Sequence, residues 1–343
     1  MRNCPPKLAC ALMLAISAGA ALPAFPASSF AAMTTGINDA KRVFTDEVGR
    51  QIEVPAQVRR IVTLSPDLTE TIYALGLEDR LVGDTNYCDT PAAAKQKPHI
   101  GQPLNPSLEA IVALRPDLVL ASTSINRRET VDALAKLGIA VYTSNPHTVR
   151  GVLASITRMA QVIGADAEGK ALVTQLQARL DKLQARLGEL PLIHVLFVVW
   201  EEPLISIGQN TFIADALRWA GAESIITSHE NWPQIGFEEV VRLQPDYILF
   251  TTNHGGDRKA LDDVRSRPAW RSLRAVELGH VVVSTDEIAR PSSGLVDAIE
   301  QLARKLHPEL FSVQMQGNSS WIGQEIPPYN FGSAAEECGA CAR

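Results

Sequence analysis

Residues 107–120 read SLEAIVALRPDLVL, and residues 236–249 read GFEEVVRLQPDYIL, so one pattern occurs twice in the chain. In each copy an amphipathic segment ends before Pro-Asp and is followed by a short apolar run. Proline tends to end a helix, and a short apolar run is typical of a buried parallel strand. The repeat therefore predicts two similar lobes that share a helix–turn–strand unit, with a ligand cleft between them.

Strand-like and helix-like segments alternate on both sides of the middle of the chain. Besides the two repeats, buried strands are predicted at residues 60–64, 81–83, 139–142, 193–199 and 281–283. Amphipathic segments, often ended by glycine, separate most of them. Because strands and helices alternate, we expect an α/β fold in which each lobe is Rossmann-like and holds a mostly parallel sheet.

The segment between the lobes, residues 148–189, contains no strand signal. Its second half is predicted to be one long helix, because apolar residues recur there every three or four positions. These residues are Val173, Leu176, Leu180, Leu183 and Leu187. A helix of this length spans about 30 Å, the diameter of a small domain. We interpret it as a stiff bridge between the lobes; the alternative is a surface helix of the first lobe.

The ends of the chain differ in character from the lobes. We expect a signal peptide over residues 1–31, an N-terminal hairpin over 42–58, an N-terminal lobe over 59–165, the bridging helix over 166–190, a C-terminal lobe over 191–307 and an irregular tail over 308–343. Arg2 and Lys7 precede an apolar run, Leu8 to Leu22, that is short for a membrane span. This pattern predicts export to the periplasm; an N-terminal membrane anchor is the alternative.

Composition argues against several classes of function. A formal net charge of −6 argues against nucleic acid as the partner. The seven histidines form no HxxxH or HxH pair, so the sequence predicts no metal site. Cys338 and Cys341 form a CxxC without a second pair. In an oxidising compartment this spacing indicates a local disulfide rather than zinc.

Several segments, taken in order, resemble one protein family. They are VFTDEVGRQIEVPAQVRRIVTLSPDLTETIYALG, TNYCD, SLEAIVALRPDLVL, VVWEEPLISIGQNTF, NWPQIGFEEVVRLQPDYIL and ARPSSGLVDAIEQLA, which fall between about residues 42 and 307. They are similar to the helical-backbone (class III) periplasmic binding proteins of ABC importers, which take up cobalamin and ferric siderophores. NYCD and the later WPQ resemble the cobalamin-binding members most.

The resemblance implies a function without catalysis. A monomer in the periplasm would capture a cobalamin-like ligand or another metal chelate between its lobes and deliver it to an inner-membrane ABC importer. It would hold no cofactor of its own. A haem or ferric-siderophore binder is the first alternative; an enzyme or a sensor on the same fold would be a different class of protein.

Two glutamates match the family's permease-docking positions. Glu109 and Glu238 occupy equivalent places in the two repeats. The resemblance implies that each docks one lobe onto an arginine of the permease through a charge-assisted pair. The alternative is that both are acids at helix starts, where they interact favourably with the helix dipole.

Ligand contacts are expected on loops that follow strands and face the cleft. The candidates are those that the resemblance implies: Tyr87, Trp200, Trp232, Asp286 and Arg290. Aromatic side chains suit a flat macrocycle, and a few polar groups would orient it. Each aromatic could instead be an ordinary core or surface residue, and Arg290 with Asp286 could be a local salt bridge. The segment 101–106 departs from the cobalamin-binding pattern, since it lacks the cleft tryptophan found there.

Overall fold

The computed structural model describes residues 41–251 and 256–311. Within this part of the chain, two four-stranded parallel sheets form the centres of two lobes. The signal peptide predicted over residues 1–31 lies outside the described residues, as do Cys338 and Cys341. None of the helices in the described ranges has the length and apolar character needed to cross a bilayer.

The N-terminal half of the described chain consists of a β-hairpin and the first lobe. Its elements are β1 (Lys41–Thr45), β2 (Gln51–Pro55), β3 (Ile61–Thr63), α1 (Pro66–Ala74), β4 (Leu81–Gly83), β5 (Gly101–Gln102), β6 (Asn105–Pro106), α2 (Leu108–Ala113), β7 (Leu118–Ser122), α3 (Arg128–Lys136), β8 (Val141–Ser144) and α4 (Val149–Ile163). β1 and β2 pair antiparallel, whereas the main sheet has the parallel order β4-β3-β7-β8. Helical crossovers are what make parallel pairing possible.

The second lobe follows a long helix, α5 (Asp166–Leu187). Its elements are β9 (Ile193–Phe197), β10 (Trp200–Glu201), β11 (Leu204–Ile205), α6 (Phe212–Trp219), β12 (Ala222–Ser224), α7 (Phe237–Leu243), β13 (Tyr247–Phe250), α8 (Asp257–Ser266), α9 (Arg274–Leu278), β14 (Val281–Val283), α10 (Leu295–Leu306) and α11 (Pro308–Phe311). The parallel sheet has the order β12-β9-β13-β14. The two sheets therefore have equivalent strand orders, and the predicted two-lobed α/β fold is confirmed.

The sequence repeat forms the same unit in both lobes. α2 leads into β7, and α7 leads into β13, and each strand pairs with the first strand of its own sheet. The residue before the proline has a left-handed backbone in both copies: φ is 46° at Arg115 and 45° at Gln244. This turn ends the helix and directs the chain into the strand.

The aspartate of each Pro-Asp pair ties the repeat to the neighbouring strand. Asp117 Oδ2 accepts hydrogen bonds from the backbone N–H groups of Arg59 (2.8 Å) and Arg60 (2.9 Å). Asp246 Oδ2 accepts from the N–H of His194 at 3.0 Å. Both carboxylates thus satisfy backbone donors at the start of a central strand, so the repeated Pro-Asp has a structural role.

α5 packs against elements of both lobes. Its buried face consists of Leu176, Leu180, Leu183 and Leu187, with Val173 partly buried beside them. These side chains belong to one hydrophobic cluster that also includes β3 and α4 of the first lobe and α6 and α10 of the second. Arg179 on α5 donates to Glu300 (2.9 Å) on α10. The helix ends at Leu187 rather than at residue 190, and it joins the lobes by packing as well as by sequence.

The end of the second lobe differs from the expectation. An irregular tail was predicted from residue 308, but residues Pro308–Phe311 form α11, so the prediction is wrong for these residues. Leu310 and Phe311 pack against the main hydrophobic cluster, and the guanidinium groups of Arg186 and Arg304 lie over the Phe311 ring. This short helix lacks the periodicity that a longer segment would show, so only its contacts reveal it.

Candidate ligand-binding cleft

The carboxyl ends of strands from both sheets converge on one cavity of about 390 Å³. The first lobe lines it with Asp67, Tyr87 and the segment 102–104, and the second lobe with Trp232 and Arg290. Crevices outside the carboxyl ends of parallel strands are where open α/β sheets bind ligands. A smaller cavity of about 190 Å³ adjoins it and shares several lining residues, which are Ser124, Phe212, Trp232 and Pro291.

Tyr87 lies on the loop that follows β4. The loop is fixed on either side of it, because Asn86 N–H donates to the carbonyl of Gly101 and Cys88 N–H to that of Thr85, each at 3.0 Å. Cys88 is buried, and its thiol lies within hydrogen-bonding distance of the hydroxyls of Thr69 and Thr85. With its neighbours anchored, the Tyr87 side chain is 57% exposed at the cavity.

Trp232 is held on the opposite lobe by a similar arrangement. Ser206 N–H donates to the carbonyl of Pro233 (3.1 Å), and Gly208 N–H donates to that of Asn231 (3.0 Å). A Cβ atom on Gly208 would collide with the carbonyl of Glu230, so a glycine is needed for this close approach. The indole itself is 48% exposed and lines both cavities.

A buried ion pair connects the lobes beside the cavity. Arg290 Nη1 donates to Glu70 Oε1 on α1 at 2.5 Å, and Ser292 Oγ donates to Glu70 Oε2 at 2.7 Å. Burial raises the pKa of Glu70 to about 7, although the hydrogen bond from Ser292 and the charge on Arg290 act in the opposite direction. Asp89 Oδ1 lies 4.0 Å from Arg290 Nη1. Arg290 therefore lies between carboxylates rather than facing the cavity with a free charge.

The predicted ligand contacts are only partly brought together. Tyr87, Trp232 and Arg290 line the cavity, whereas Trp200 and Asp286 do not. Trp200 lies on β10, is 62% exposed and donates through Nε1 to the carbonyl of Glu202 at 2.9 Å. Asp286 begins a short 3₁₀ helix before Arg290. The local salt bridge considered for Arg290 with Asp286 is replaced by the ion pair with Glu70 on the other lobe.

Other lining residues were missed from the sequence. Asp67 is the clearest, since it lies just after β3, at the start of α1, where ligand contacts were expected to follow a strand. Residues 102–104 also line the cavity, so the segment that lacks the tryptophan of the cobalamin-binding members lies at the cavity. Phe212 and Pro291 come from the second lobe and carry no local signal.

Glu109 and Glu238 lie at equivalent positions, each the second residue of its helix, and both are exposed. Ser107 Oγ donates to Glu109 Oε2 at 3.1 Å. Their exposure leaves both carboxylates accessible to a partner, and neither lines the cavity.

In the described ranges, no group of three or more His, Cys, Asp or Glu side chains is arranged to hold a metal ion.

The fold and the cleft define a class of protein: two α/β lobes joined by a helix, with a cavity between them. A sequence model of the family described as periplasmic binding protein matches residues 61–288. The chain belongs to this family, and the resemblance inferred from its sequence is confirmed. Its relatives are binding proteins rather than enzymes.

Two relatives show the range of the family. The vitamin B12-binding protein of Vibrio campbellii is 28% identical over 251 residues, which cover 72% of this chain and 88% of the relative. An uncharacterized ABC transporter substrate-binding lipoprotein of Bacillus subtilis, YvrC, is 30% identical over 275 residues, covering 78% of this chain and 85% of the relative.

Solved structures agree with this assignment. The periplasmic vitamin B12 binding protein BtuF of Vibrio cholerae superposes with a TM-score of 0.66 at 25% identity, covering 74% of this chain and 98% of BtuF. The periplasmic heme-binding protein BhuT, solved with two hemes, has a TM-score of 0.64 at 28% identity, covering 73% of this chain and 98% of BhuT.

Proposed function

We propose that this protein is the periplasmic component of an ABC importer that captures a cobalamin-like corrinoid between its lobes. It would be exported by the segment 1–31, bind its ligand as a monomer without a cofactor of its own, and catalyse no reaction. The observation that supports this function best is that Tyr87 and Trp232, from opposite lobes, line one cavity. Two aromatic walls of this kind suit a flat macrocycle with an apolar face.

The permease partner is inferred from a second feature. Glu109 and Glu238 are exposed at equivalent places on two lobes that a helix holds together. Two carboxylates on a stiff frame can meet two arginines of a membrane partner at once, and charge complementarity of this kind mainly sets encounter rate and register. Delivery to a permease is therefore part of the proposal.

Haem is the second candidate ligand. It is favoured by the similarity to BhuT, whose structure contains two hemes. The segment 102–104 at the cavity supplies no tryptophan, which is compatible with a ligand other than cobalamin.

Calorimetric titration of the protein with cyanocobalamin and, separately, with haemin tests the proposal. We expect saturable one-to-one binding of cyanocobalamin and weaker binding after Trp232→Ala or Tyr87→Ala, by about tenfold or more, because each truncation removes an aromatic wall. Trp200→Ala is the matched control, since this tryptophan is also exposed but does not line the cavity.

Each outcome of the titration has a distinct meaning. Haemin binding without cyanocobalamin binding would replace the corrinoid by haem and leave the importer role in place. Equal losses in Trp232→Ala and Trp200→Ala would show that the cavity between the lobes is not where the ligand is held.

A further inference from the structure

Asp67 contributes a nearly buried carboxylate to the cavity wall. It is the second residue of α1, lines the cavity and is only 4% exposed. Its Oδ2 atom is buried and makes no hydrogen bond of normal geometry. Buried polar atoms are nearly always hydrogen-bonded in folded proteins, so an exception at a cavity wall points to a group that the ligand satisfies.

The cavity wall offers little free positive charge. Among the described residues that line it, Arg290 is the only basic side chain, and it is already paired with Glu70 and close to Asp89. In the adjoining smaller cavity, the described lining offers His147 as the only group that can become cationic. A ligand carboxylate would thus meet Asp67 and an arginine that already has a carboxylate partner, whereas a ligand N–H group would meet an acceptor.

We propose that Asp67 is a specificity-determining residue whose carboxylate accepts a hydrogen bond from the ligand, so that the cleft takes macrocycles edged with amide N–H groups and rejects those edged with carboxylates. This inference rests on the proposed function and defines the substrate class of the same site. The selection between ligands has two causes. A ligand without a donor leaves the buried acceptor unpaired, and a ligand carboxylate places a like charge beside it, so both bind poorly.

The state of Asp67 before binding agrees with this role. Burial raises its pKa, while the nearby Ser65 and Ser122 hydroxyls and the charge on Arg290 act in the opposite direction. The ionised carboxylate is thus costly in the empty cleft, and an N–H donor from the ligand would relieve that cost. Corrinoids carry primary amides around the ring, whereas haem carries two propionates, so Asp67 distinguishes the two candidate ligands.

Two matched corrinoids test the inference. Cobinamide carries amides around its ring, and cobyrinic acid carries carboxylic acids at the same positions, so every edge that could face Asp67 is changed. We expect the unmodified protein to bind cobinamide more tightly than cobyrinic acid. Asp67→Asn should weaken cobinamide binding by about tenfold, the loss typical of one hydrogen bond to a charged group, and should strengthen cobyrinic acid binding.

Asp89→Asn is the control, because it removes an exposed carboxylate near Arg290 that does not line the cavity. We expect it to change either affinity by less than about threefold. The urea unfolding midpoint of Asp67→Asn checks its fold; the isosteric change removes a buried charge and should not lower that midpoint.

The outcomes separate the two proposals. If cobinamide binds but Asp67→Asn leaves the ratio of the two affinities unchanged, the role of Asp67 is refuted and the corrinoid function stands. Tighter binding of cobyrinic acid, or of haemin, than of cobinamide would also refute it. Binding of neither corrinoid would overturn the corrinoid function and this inference with it.

Discussion

Glu70 is a buried carboxylate of the first lobe that accepts hydrogen bonds from the second lobe. Its partners, Arg290 and Ser292, both belong to the second lobe. Desolvation penalises its ionised form more than these partners favour it, since its pKa is raised from 4.5 to about 7. Between these two pH values the folded protein keeps a proton that the unfolded chain has lost. The contribution of Glu70 to stability is therefore fully present below about pH 4.5 and decreases as the pH rises toward 7.

We predict that Glu70→Gln removes this part of the pH dependence. The free energy of unfolding of the variant minus that of the unmodified protein should increase by up to about 3 kcal/mol between pH 4.5 and pH 8. The reason is that the unmodified protein loses stability over this range as Glu70 ionises, whereas the variant has no carboxylate there. Urea unfolding at both pH values measures it. Asp84, whose pKa burial raises to about 6, acts in the same direction in both proteins and cancels in the difference. Parallel stability curves would contradict the prediction.

At the scale of secondary-structure elements, α5 determines how the lobes are joined. Its leucine face is buried in the cluster that spans both lobes. Gly169 lets α5 approach α4 closely, because a Cβ atom there would collide with the side chain of Ala160. Gln184 Nε2 also donates to the carbonyl of Trp219 on the second lobe at 2.9 Å. The helix is therefore a packed part of the core rather than a flexible linker.

Leu180→Ala is predicted to destabilise the protein by about 2–5 kcal/mol, because this side chain is fully buried and truncation leaves a cavity. Chemical unfolding gives the value. Lys182→Ala, at an exposed position of the same helix, should change the stability by less than about 0.5 kcal/mol. A similar small effect for both substitutions would mean that α5 does not contribute to the core.

The starts of α2 and α7 are the elements proposed to dock on the permease. We expect Glu109→Ala combined with Glu238→Ala to lower ligand uptake by cells about tenfold or more while leaving the affinity of the purified protein for its ligand unchanged, because neither residue lines the cavity. Glu239→Ala is the control, since this neighbour is exposed and pairs with Arg242. Normal uptake by the double variant would contradict the docking role and would mean that the two glutamates only interact with the dipoles of their helices.

At the scale of the whole molecule, the lobes are connected at several separate places. α5 packs on both of them, Val149 N–H at the start of α4 donates to Asp215 on α6 at 2.8 Å, and Glu70 pairs with Arg290. A hinge motion would have to break these contacts together. This arrangement favours small adjustments of loops and side chains over large domain closure.

Small-angle scattering with and without ligand should consequently show nearly the same radius of gyration. Arg290→Ala, which removes the ion pair but keeps the hydrogen bond from Ser292 to Glu70, is expected to increase the difference between the two states if the ion pair restrains the lobes. A large compaction of the unmodified protein on ligand binding, of the hinge type, would contradict the stiff frame.

The sequence by itself determined the duplicated lobes, the alternation that gives parallel sheets and the long helix between them. Hydrophobic periodicity and the positions of proline and glycine are local properties, and they can be read without knowing what lies nearby. The family resemblance, together with the expectation that ligand contacts follow strands, also predicted Tyr87, Trp232 and Arg290 as residues of the cleft. The roles proposed for them as ligand contacts stay predictions.

Only the tertiary structure decided which strand ends share the cleft. Glu70 and Arg290 are 220 residues apart, and no local pattern indicates that they pair. The orientation of the lobes places Asp67 at the cavity and leaves Trp200 outside its lining. α11 likewise is held by contacts with the core rather than by its own periodicity. Long-range packing fixes these features, because the free energy that selects them comes from residues brought together only by the complete fold.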